Sequence, residues 1–300
     1  MKRLFATALL VSLFTFAASA QQQAAAPTPA RMEVVLLGTG FPRPSNERAG
    51  PSTAVLVGKK AFIVDAGRGI TMRLDGAKIP LAQIQAVFLT HLHSDHIDGL
   101  PDLYHSPWVL GRETSFQLYG PEGTREIADA MKKFYAEDIR IRGTRTEMHP
   151  LAGAGIEVHI VQEGIVYQDD ELKITAFPVD HRPVEPAFGY KFESGGRAIV
   201  ISGDTRPSDN LIRYAKGADV LVHEAYLTEY FTGVDSPAVA ARLRAYHTTA
   251  EQAGDVATAA RVKLLVLTHL IPGDNDPEFL RRASQHFKGK IAVGHDLDRF

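Results

Sequence analysis

The chain after residue 31 is built from short apolar runs, rich in Val, Ile and Leu, that are separated by turns containing Gly, Pro and Asp. Runs of this kind are typical of β-strands in a folded protein. The predicted strands are Glu33–Leu37, Ala54–Val57, Ala61–Val64, Gln85–Thr90, Phe116–Tyr119, Glu157–Val161, Leu172–Val179, Phe188–Glu193, Ala198–Ser202, Val220–Val222, Lys263–Thr268 and Lys290–Val293.

Helical patterns lie between several of these strands. In Thr124–Tyr135, apolar residues such as Ile127 and Met131 recur at helical spacing, and Thr249–Arg261 is Ala-rich after a Thr that can cap it. Pro277–Phe287 begins with Pro, which is favoured in the first turn of a helix. Because strands and helices are mixed throughout and hairpin-like strand pairs come early, the pattern predicts a layered α/β protein with mixed sheets.

The first twenty residues have a pattern of their own. Lys2 and Arg3 precede an apolar stretch over 4–18, and Ala18-Ser19-Ala20 has the small residues of a cleavage site. These features predict a signal peptide over residues 1–20, a disordered leader over 21–30 and a single domain over 31–300. A membrane anchor is the alternative, but about 15 apolar residues are fewer than the roughly 20 that span a bilayer. We therefore expect a periplasmic or secreted protein with no membrane anchor after cleavage.

Charge and composition narrow the classes of function. The chain has 33 Lys and Arg against 35 Asp and Glu, a net charge of −2 that becomes −4 when the two basic residues Lys2 and Arg3 are removed with the signal peptide. A mildly acidic protein is not favoured as a partner of nucleic acid, whose phosphates attract basic surfaces. Cysteine is absent, which excludes disulfides, thiolate metal sites and thiol nucleophiles. Any metal must therefore bind nitrogen and oxygen donors.

The motif HLHSDH at residues 91–96 places four candidate metal ligands close together. The preceding residues 87–90 belong to a buried strand, so His91 and His93, two apart in extended chain, can point into the same site. Asp95 and His96 follow on a turn, where adjacent side chains can diverge toward a second ion. Because four such groups are costly in an apolar interior without a cation, we favour a metal site over an accidental surface loop.

Further candidate ligands each follow an apolar strand. They are His181 after 172–179, Asp204 after 198–202, His269 after 263–268 and Asp65 after 61–64. Ligand sites of α/β proteins lie at the carboxyl ends of strands. We therefore expect these side chains to converge with HLHSDH at one edge of a sheet.

This set of motifs resembles the metallo-β-lactamase superfamily, which carries HxHxDH. Finer features are similar to its tRNase Z and arylsulfatase-like branch: LGTGFPRP at 37–44, DHRPVEPAFGY at 180–190, SGDT at 202–205, HEA at 223–225, HTTAEQA at 247–253 and LTH at 267–269. The resemblance covers nearly all of residues 32–300 and implies an α/β fold, the αββα sandwich with mixed sheets, that holds a dinuclear metal site. The long arm with which tRNase Z grips tRNA is missing, since residues 192–197 run almost directly into the next predicted strand.

The resemblance also implies a role for each candidate. One metal would be held by His91, His93 and His181, the other by Asp95, His96 and His269, with Asp204 bridging both. Nitrogen and oxygen donors suit two Zn²⁺ ions and also tolerate Mn²⁺ or Fe. Asp65 is expected to support the ligand loops by accepting a hydrogen bond from a ligating His. Glu224 and His247 are expected to act as catalytic residues in protonating the leaving group, and Asp95 is counted as both ligand and catalytic residue.

From these residues and the resemblance we expect an exported dinuclear zinc metallohydrolase that cleaves small phosphodiester or aryl sulfate esters by attack of a metal-bound hydroxide. The missing arm, the predicted export and the acidic charge favour a small-molecule ester as the partner and disfavour nucleic acid. A homo-oligomer is compatible with the sequence. Two alternatives stay open: a tRNase Z-like endoribonuclease, and a non-catalytic periplasmic module that binds a ligand or metal on the same fold.

Overall fold

The computed structural model describes residues 32–144, 147–229 and 237–300. The predicted signal peptide over 1–20 and leader over 21–30 lie outside these ranges. Within them, no helix has both the length and the apolar character that crossing a bilayer would need.

The strands form two mixed sheets. The first sheet contains β1 (Met32–Gly38), β2 (Ser52–Val57), β3 (Lys60–Val64), β4 (Ile84–Phe88), β5 (Phe116–Gly120) and β6 (Ile156–Ile160), in that order. The second contains β7 (Gly164–Gln168), β8 (Lys173–Pro178), β9 (Phe188–Ser194), β10 (Arg197–Ile201), β11 (Val220–Tyr226), β12 (Leu264–Ile271) and β13 (Lys290–Val293), also in sequence order. In each sheet antiparallel pairs come first along the chain and parallel pairs follow.

The helices of the described residues lie between these strands in the chain. They are α1 (Ile70–Gly76), α2 (Ser94–Ile97), α3 (Leu100–Val109), α4 (Thr124–Phe134), α5 (Ala136–Thr144), α6 (Asp209–Ala215), α7 (Pro237–Tyr246), α8 (Ala250–Ala260) and α9 (Asp276–His286). Short 3-10 turns cover Leu81–Gln83 and Leu151–Ala154.

Successive side chains of a strand point to opposite faces of its sheet, so each sheet packs against the other sheet on one face and against helices on the other face. In β1, Val34 and Leu36 pack between the two sheets, whereas Val35 and Leu37 pack with α1, α3 and α4 on the outer face. In the second sheet, Val222 faces the space between the sheets and Leu221 packs with α6, α8 and α9. Burying each such side chain stabilises the fold by roughly 1.5–3 kcal/mol. The αββα sandwich expected from the resemblance is confirmed.

The structure differs from the predicted elements where tertiary contacts override local pattern. Helix α3 was not predicted because it contains Pro107 in its interior, where proline usually interrupts a helix. Strand β11 continues to Tyr226 and β12 to Ile271, past their predicted ends, because the two strands pair with each other in parallel. The helix at Thr249 begins as predicted, with a capping box between Thr249 and Gln252.

The β9–β10 connection is a tight hairpin. Ser194 pairs with Arg197, and the two residues between them, Gly195 and Gly196, have φ angles of 55° and 80°. Two successive positive φ angles are the requirement of the commonest two-residue hairpin turn, and glycine meets it without steric cost. The β9–β10 connection therefore has no long arm, as the sequence predicts.

Candidate active site

The predicted site residues meet at one end of the sandwich. Asp65 comes directly after the end of β3. His91 lies three residues after the end of β4, and Asp204 lies three residues after the end of β10. His181 follows β8 and lies on the same side, because β8 and β10 run in the same direction on either side of β9. The carboxyl ends of strands from both sheets thus bring side chains together that are far apart in the sequence.

His91, His93, His181 and Asp204 form the first group of donors. Their ligand atoms lie within 4.8 Å of one another. His93 Nδ1 is 3.0 Å from His91 Nε2 and 3.4 Å from His181 Nε2, and Asp204 Oδ2 is 3.9 Å from each of those Nε2 atoms. Three imidazoles and a carboxylate directed at one point are a donor set that suits a divalent metal ion such as zinc.

Asp95, His96 and His269 form the second group. Asp95 Oδ2 lies 3.7 Å from His96 Nε2 and 3.4 Å from His269 Nε2. His96 Nε2 is buried and has no hydrogen-bond partner among the described residues. Because an unpartnered buried polar atom is costly, this orphaned nitrogen fits the role of a metal ligand.

Asp204 faces both groups. Its Oδ1 is 3.4 Å from His96 Nε2, and its Oδ2 is 3.4 Å from His269 Nε2. Burial by itself raises the pKa of the Asp204 carboxyl, but the surrounding imidazoles, His269 and His96 first, outweigh it and hold that pKa well below its usual range. The carboxyl group is therefore an anion placed between the two groups, where it could bridge two cations.

Local backbone geometry aims two of these side chains. Gly203, just before Asp204, has φ 61°, and a Cβ there would come within 2.8 Å of Phe188 O and 2.9 Å of Thr90 Cβ. His269, with φ 47°, is the extra residue of a bulge in β12, since Glu224 pairs with Thr268 and the next residue of β11 pairs with Leu270. A bulge redirects a side chain out of the regular alternation. His269 is thereby turned toward Asp95 and Asp204.

Partners behind the histidines hold their rings. Asp65 accepts hydrogen bonds from Thr90 N, from Thr90 Oγ1 and from His96 Nδ1, each at 2.8 Å, which is the supporting role expected of this residue. Thr90 Oγ1 is also 3.0 Å from His91 Nδ1, and His181 Nδ1 is 3.1 Å from Tyr246 O. Such contacts fix the ring orientation and tautomer, leaving the other ring nitrogen for a metal.

Glu224 and His247 form a buried pair beside the two groups. Glu224 Oε1 is 2.8 Å from His247 Nδ1 and accepts a hydrogen bond from Thr205 N at 2.9 Å. Burial raises the pKa of Glu224. Burial lowers the pKa of His247, but the Glu224 carboxylate outweighs it, so that the net shift of this pKa is upward. Ring centroids of His181 and His269 lie 5.3 and 5.7 Å from that of His247.

All nine residues predicted for the site are brought together. The structure separates the metal donors from the Glu224–His247 pair. Asp95 belongs to the second donor group and not to the Glu224–His247 pair. Thr90 and Thr205 were not predicted as supporting residues, although each adjoins a motif residue. Their roles come from contacts with Asp65 and Glu224, which lie 25 and 19 positions away and leave no local pattern.

The chain is similar to known proteins over most of its length. A family model described as a beta-lactamase superfamily domain matches residues 61–270. Ribonuclease Z from Mycobacterium bovis (strain BCG / Pasteur 1173P2) is 38% identical over 276 residues, which cover 89% of this chain and 97% of the relative. Ribonuclease Z from Mycobacterium sp. (strain KMS) is 39% identical over 275 residues, covering 89% of this chain and 95% of the relative.

Two solved structures share the fold. The metallo-β-lactamase fold protein YhfI from Bacillus subtilis has a TM-score of 0.68 at 22% identity, covering 90% of this chain and 99% of its own. Human tRNase Z, short form, has a TM-score of 0.66 at 24% identity, covering 89% of this chain and 98% of its own. Identities this low show the fold alone.

These relatives correct two expectations. A small phosphodiester or aryl sulfate as substrate, with nucleic acid disfavoured, is wrong: relatives that match nearly end to end are ribonucleases Z. The missing arm was a poor guide, because relatives named ribonuclease Z match this chain over 95–97% of their own length. Net charge was a poor guide too, because a sum over the chain does not describe the field at the site. The chain therefore belongs to the beta-lactamase superfamily as a metal-dependent hydrolase related to ribonuclease Z.

Proposed function

We propose that this protein is a metal-dependent endoribonuclease of the ribonuclease Z type. The phosphodiester bond of RNA that it hydrolyses would lie at the site formed by the two donor groups. One observation carries the proposal: a single buried carboxylate, Asp204, faces both groups in a chain that is similar to ribonuclease Z over nearly its whole length. A binding-only module is disfavoured, since every donor and the Glu224–His247 pair are in place.

We assign His91, His93, His181 and Asp204 to one metal ion, and Asp95, His96, His269 and Asp204 to the other. Zinc is the metal we propose, because imidazoles outnumber carboxylates among the donors and imidazole-rich sites suit zinc. Two such ions would supply Lewis acidity toward the phosphoryl oxygens and a nucleophilic water at neutral pH.

His247 is assigned to the leaving group. Its Nδ1 is held by Glu224 Oε1 at 2.8 Å, so Nε2 is the nitrogen that can donate a proton to the departing ribose oxygen. Glu224 is oriented in turn by Thr205 N, which donates to the same oxygen. The carboxylate therefore fixes the tautomer of His247 and stabilises its protonated form without contacting the substrate itself.

The proposal predicts that the protein cleaves a structured RNA and that this cleavage depends on bound metal. Zinc-loaded protein should cut an end-labelled precursor tRNA with a 3′ trailer at one position, and should leave a DNA of the same sequence intact. Chelation should lower the rate by about 10³-fold or more, because the metal contributes several kcal/mol of transition-state stabilisation. Adding zinc back should restore it.

A chromogenic phosphodiester serves as the control for that assay. Its hydrolysis shows whether the metal site is assembled, because a small diester does not require the protein to recognise RNA. Zinc-loaded protein that hydrolyses the small diester but leaves every RNA intact would overturn the proposed substrate class while leaving the metal assignment in place.

We propose further that residues 1–20 are a cleaved signal peptide, so that the mature protein is periplasmic or secreted. Support comes from Lys2 and Arg3 before the apolar stretch and from the small residues at 18–20. Mass spectrometry of protein recovered outside the cytoplasm should show a chain that starts at Gln21. A soluble cytoplasmic pool that retains Met1 would contradict this, and would place the enzyme among cytoplasmic RNAs.

A further inference from the structure

Three loops carry His181, Asp204 and His247, and they meet around one ion pair. Arg206 Nε lies 2.8 Å from Asp180 Oδ2, and Arg206 N donates to Asp180 O at 2.9 Å. Asp180 N donates to Thr205 Oγ1 at 3.2 Å. The loop after β8 is therefore joined to the loop after β10 by contacts of both backbone and side chain.

The same residues reach the third loop. Arg206 Nη1 lies 3.5 Å from Ala245 O, in the last turn of α7 and two residues before His247, and Thr248 Oγ1 donates to Thr205 O. A guanidinium has several donors in a fixed planar fork, so one Arg can bond to a loop and to the end of a helix at once. Arg206 is thus placed to set the distance between the loop of His181 and the loop of His247.

We propose that the Asp180–Arg206 pair positions the active site, holding the His181 and His247 loops in register with Asp204. The inference rests on the metal-centre assignment made above, but not on RNA as the substrate. Neither residue belongs to either donor group, and Glu224 Oε1 is bonded instead to Thr205 N and His247 Nδ1. Both are therefore positioning residues that act through the loops they join.

Arg182 provides a matched control. It bonds the same Asp180 carboxylate, through Nη2 at 2.7 Å and Nε at 3.0 Å, but it lies on the same loop as Asp180. Among the residues that the structure describes, its other ion pair is with Glu185, at 3.8 Å, also on that loop. Its side chain is 58% exposed, against 36% for Arg206. Removing Arg182 deletes a charge beside Asp180 but removes no contact between different loops.

The test compares Arg206→Gln, Arg206→Lys, Asp180→Asn and Arg182→Gln. Zinc affinity is measured by competition with a chromogenic chelator, and turnover is measured on a chromogenic phosphodiester at saturating zinc. Arg206→Gln and Asp180→Asn should each weaken zinc binding by about tenfold, the lower end of what loss of supporting contacts costs a metal site. They should lower kcat with KM unchanged. Arg206→Lys should recover part of both, and Arg182→Gln should stay within about twofold of the parent.

The main rival is that Arg206 contacts RNA phosphate. In that case Arg206→Gln would leave zinc affinity and small-diester turnover unchanged, raise KM for RNA and reduce its salt dependence, and our proposal would be overturned. Equal losses in the Arg182 and Arg206 variants would also overturn it, because charge alone would then explain both. Circular dichroism and Tm of each variant establish that it is folded. Asp180→Asn removes the charge of the other partner in the Asp180–Arg206 ion pair and so tests the same contact independently.

Discussion

Asp204→Ala is expected to lose metal from both donor groups and to lower phosphodiester hydrolysis by roughly 10³-fold or more. The reason is that one buried carboxylate faces His96 through Oδ1 and His269, His91 and His181 through Oδ2. Removing it leaves only imidazoles in the first group and leaves Asp95 as the one carboxylate among the donors to balance two cations. Metal content by mass spectrometry, measured beside the rate, checks both effects.

A variant that loses a donor from only one of the two groups serves as a comparison for Asp204→Ala. His181→Ala removes a donor from the first group only, so we expect it to retain the second ion more fully than Asp204→Ala does. Asp169→Ala is a control for loss of a carboxylate, because Asp169 pairs with Lys60 at the opposite end of β3 from Asp65. A folded Asp204→Ala protein that still holds two ions would contradict the bridging assignment.

His247→Ala is expected to keep its metal and to lower kcat by roughly 10² to 10⁴, the usual contribution of a positioned acid or base. The loss should shrink as the leaving group becomes more acidic, because a nitrophenolate departs without a proton whereas an alkoxide does not. Glu224→Gln should have a smaller effect, since an amide oxygen can still accept from His247 Nδ1 but carries no charge. Rates over a series of leaving groups, with metal content determined for each variant, test this.

Two further variants serve as references for His247. His269→Ala should lose metal and activity together, whatever the leaving group, because His269 belongs to the second donor group. His286→Ala removes a histidine from a comparable His–carboxylate pair on the surface, 2.9 Å from Asp255, and should have little effect. Metal loss in His247→Ala would move His247 into the coordination shell, and an equal rate loss across the series would remove its role as an acid.

The fold followed from the sequence wherever a local pattern was complete. Strands such as β1 and β10 alternate apolar residues between the two faces of their sheet, so position and burial could be predicted together. Helix α3 could not be predicted in this way, since its interior Pro107 is unfavourable in a helix. The helix is stabilised by packing of Leu100, Leu103 and Tyr104 against the first sheet. Substrate class was misjudged because an absent arm and a net charge describe the chain rather than the site.

The sequence by itself determined which donors are present and that strand ends would carry them, because donor chemistry and strand alternation are properties of neighbouring residues. No local pattern showed how the donors associate: the resemblance implied the two groups, and the tertiary structure decides them. His91 and His96 are five positions apart yet belong to different groups, whereas His91 shares a group with His181, 90 positions away. It also decided that a bulge turns His269 toward Asp204 and that Arg206 joins the loop of His181 to that of His247. These relations depend on strand pairing and loop contacts between distant segments, which leave no periodic pattern along the chain.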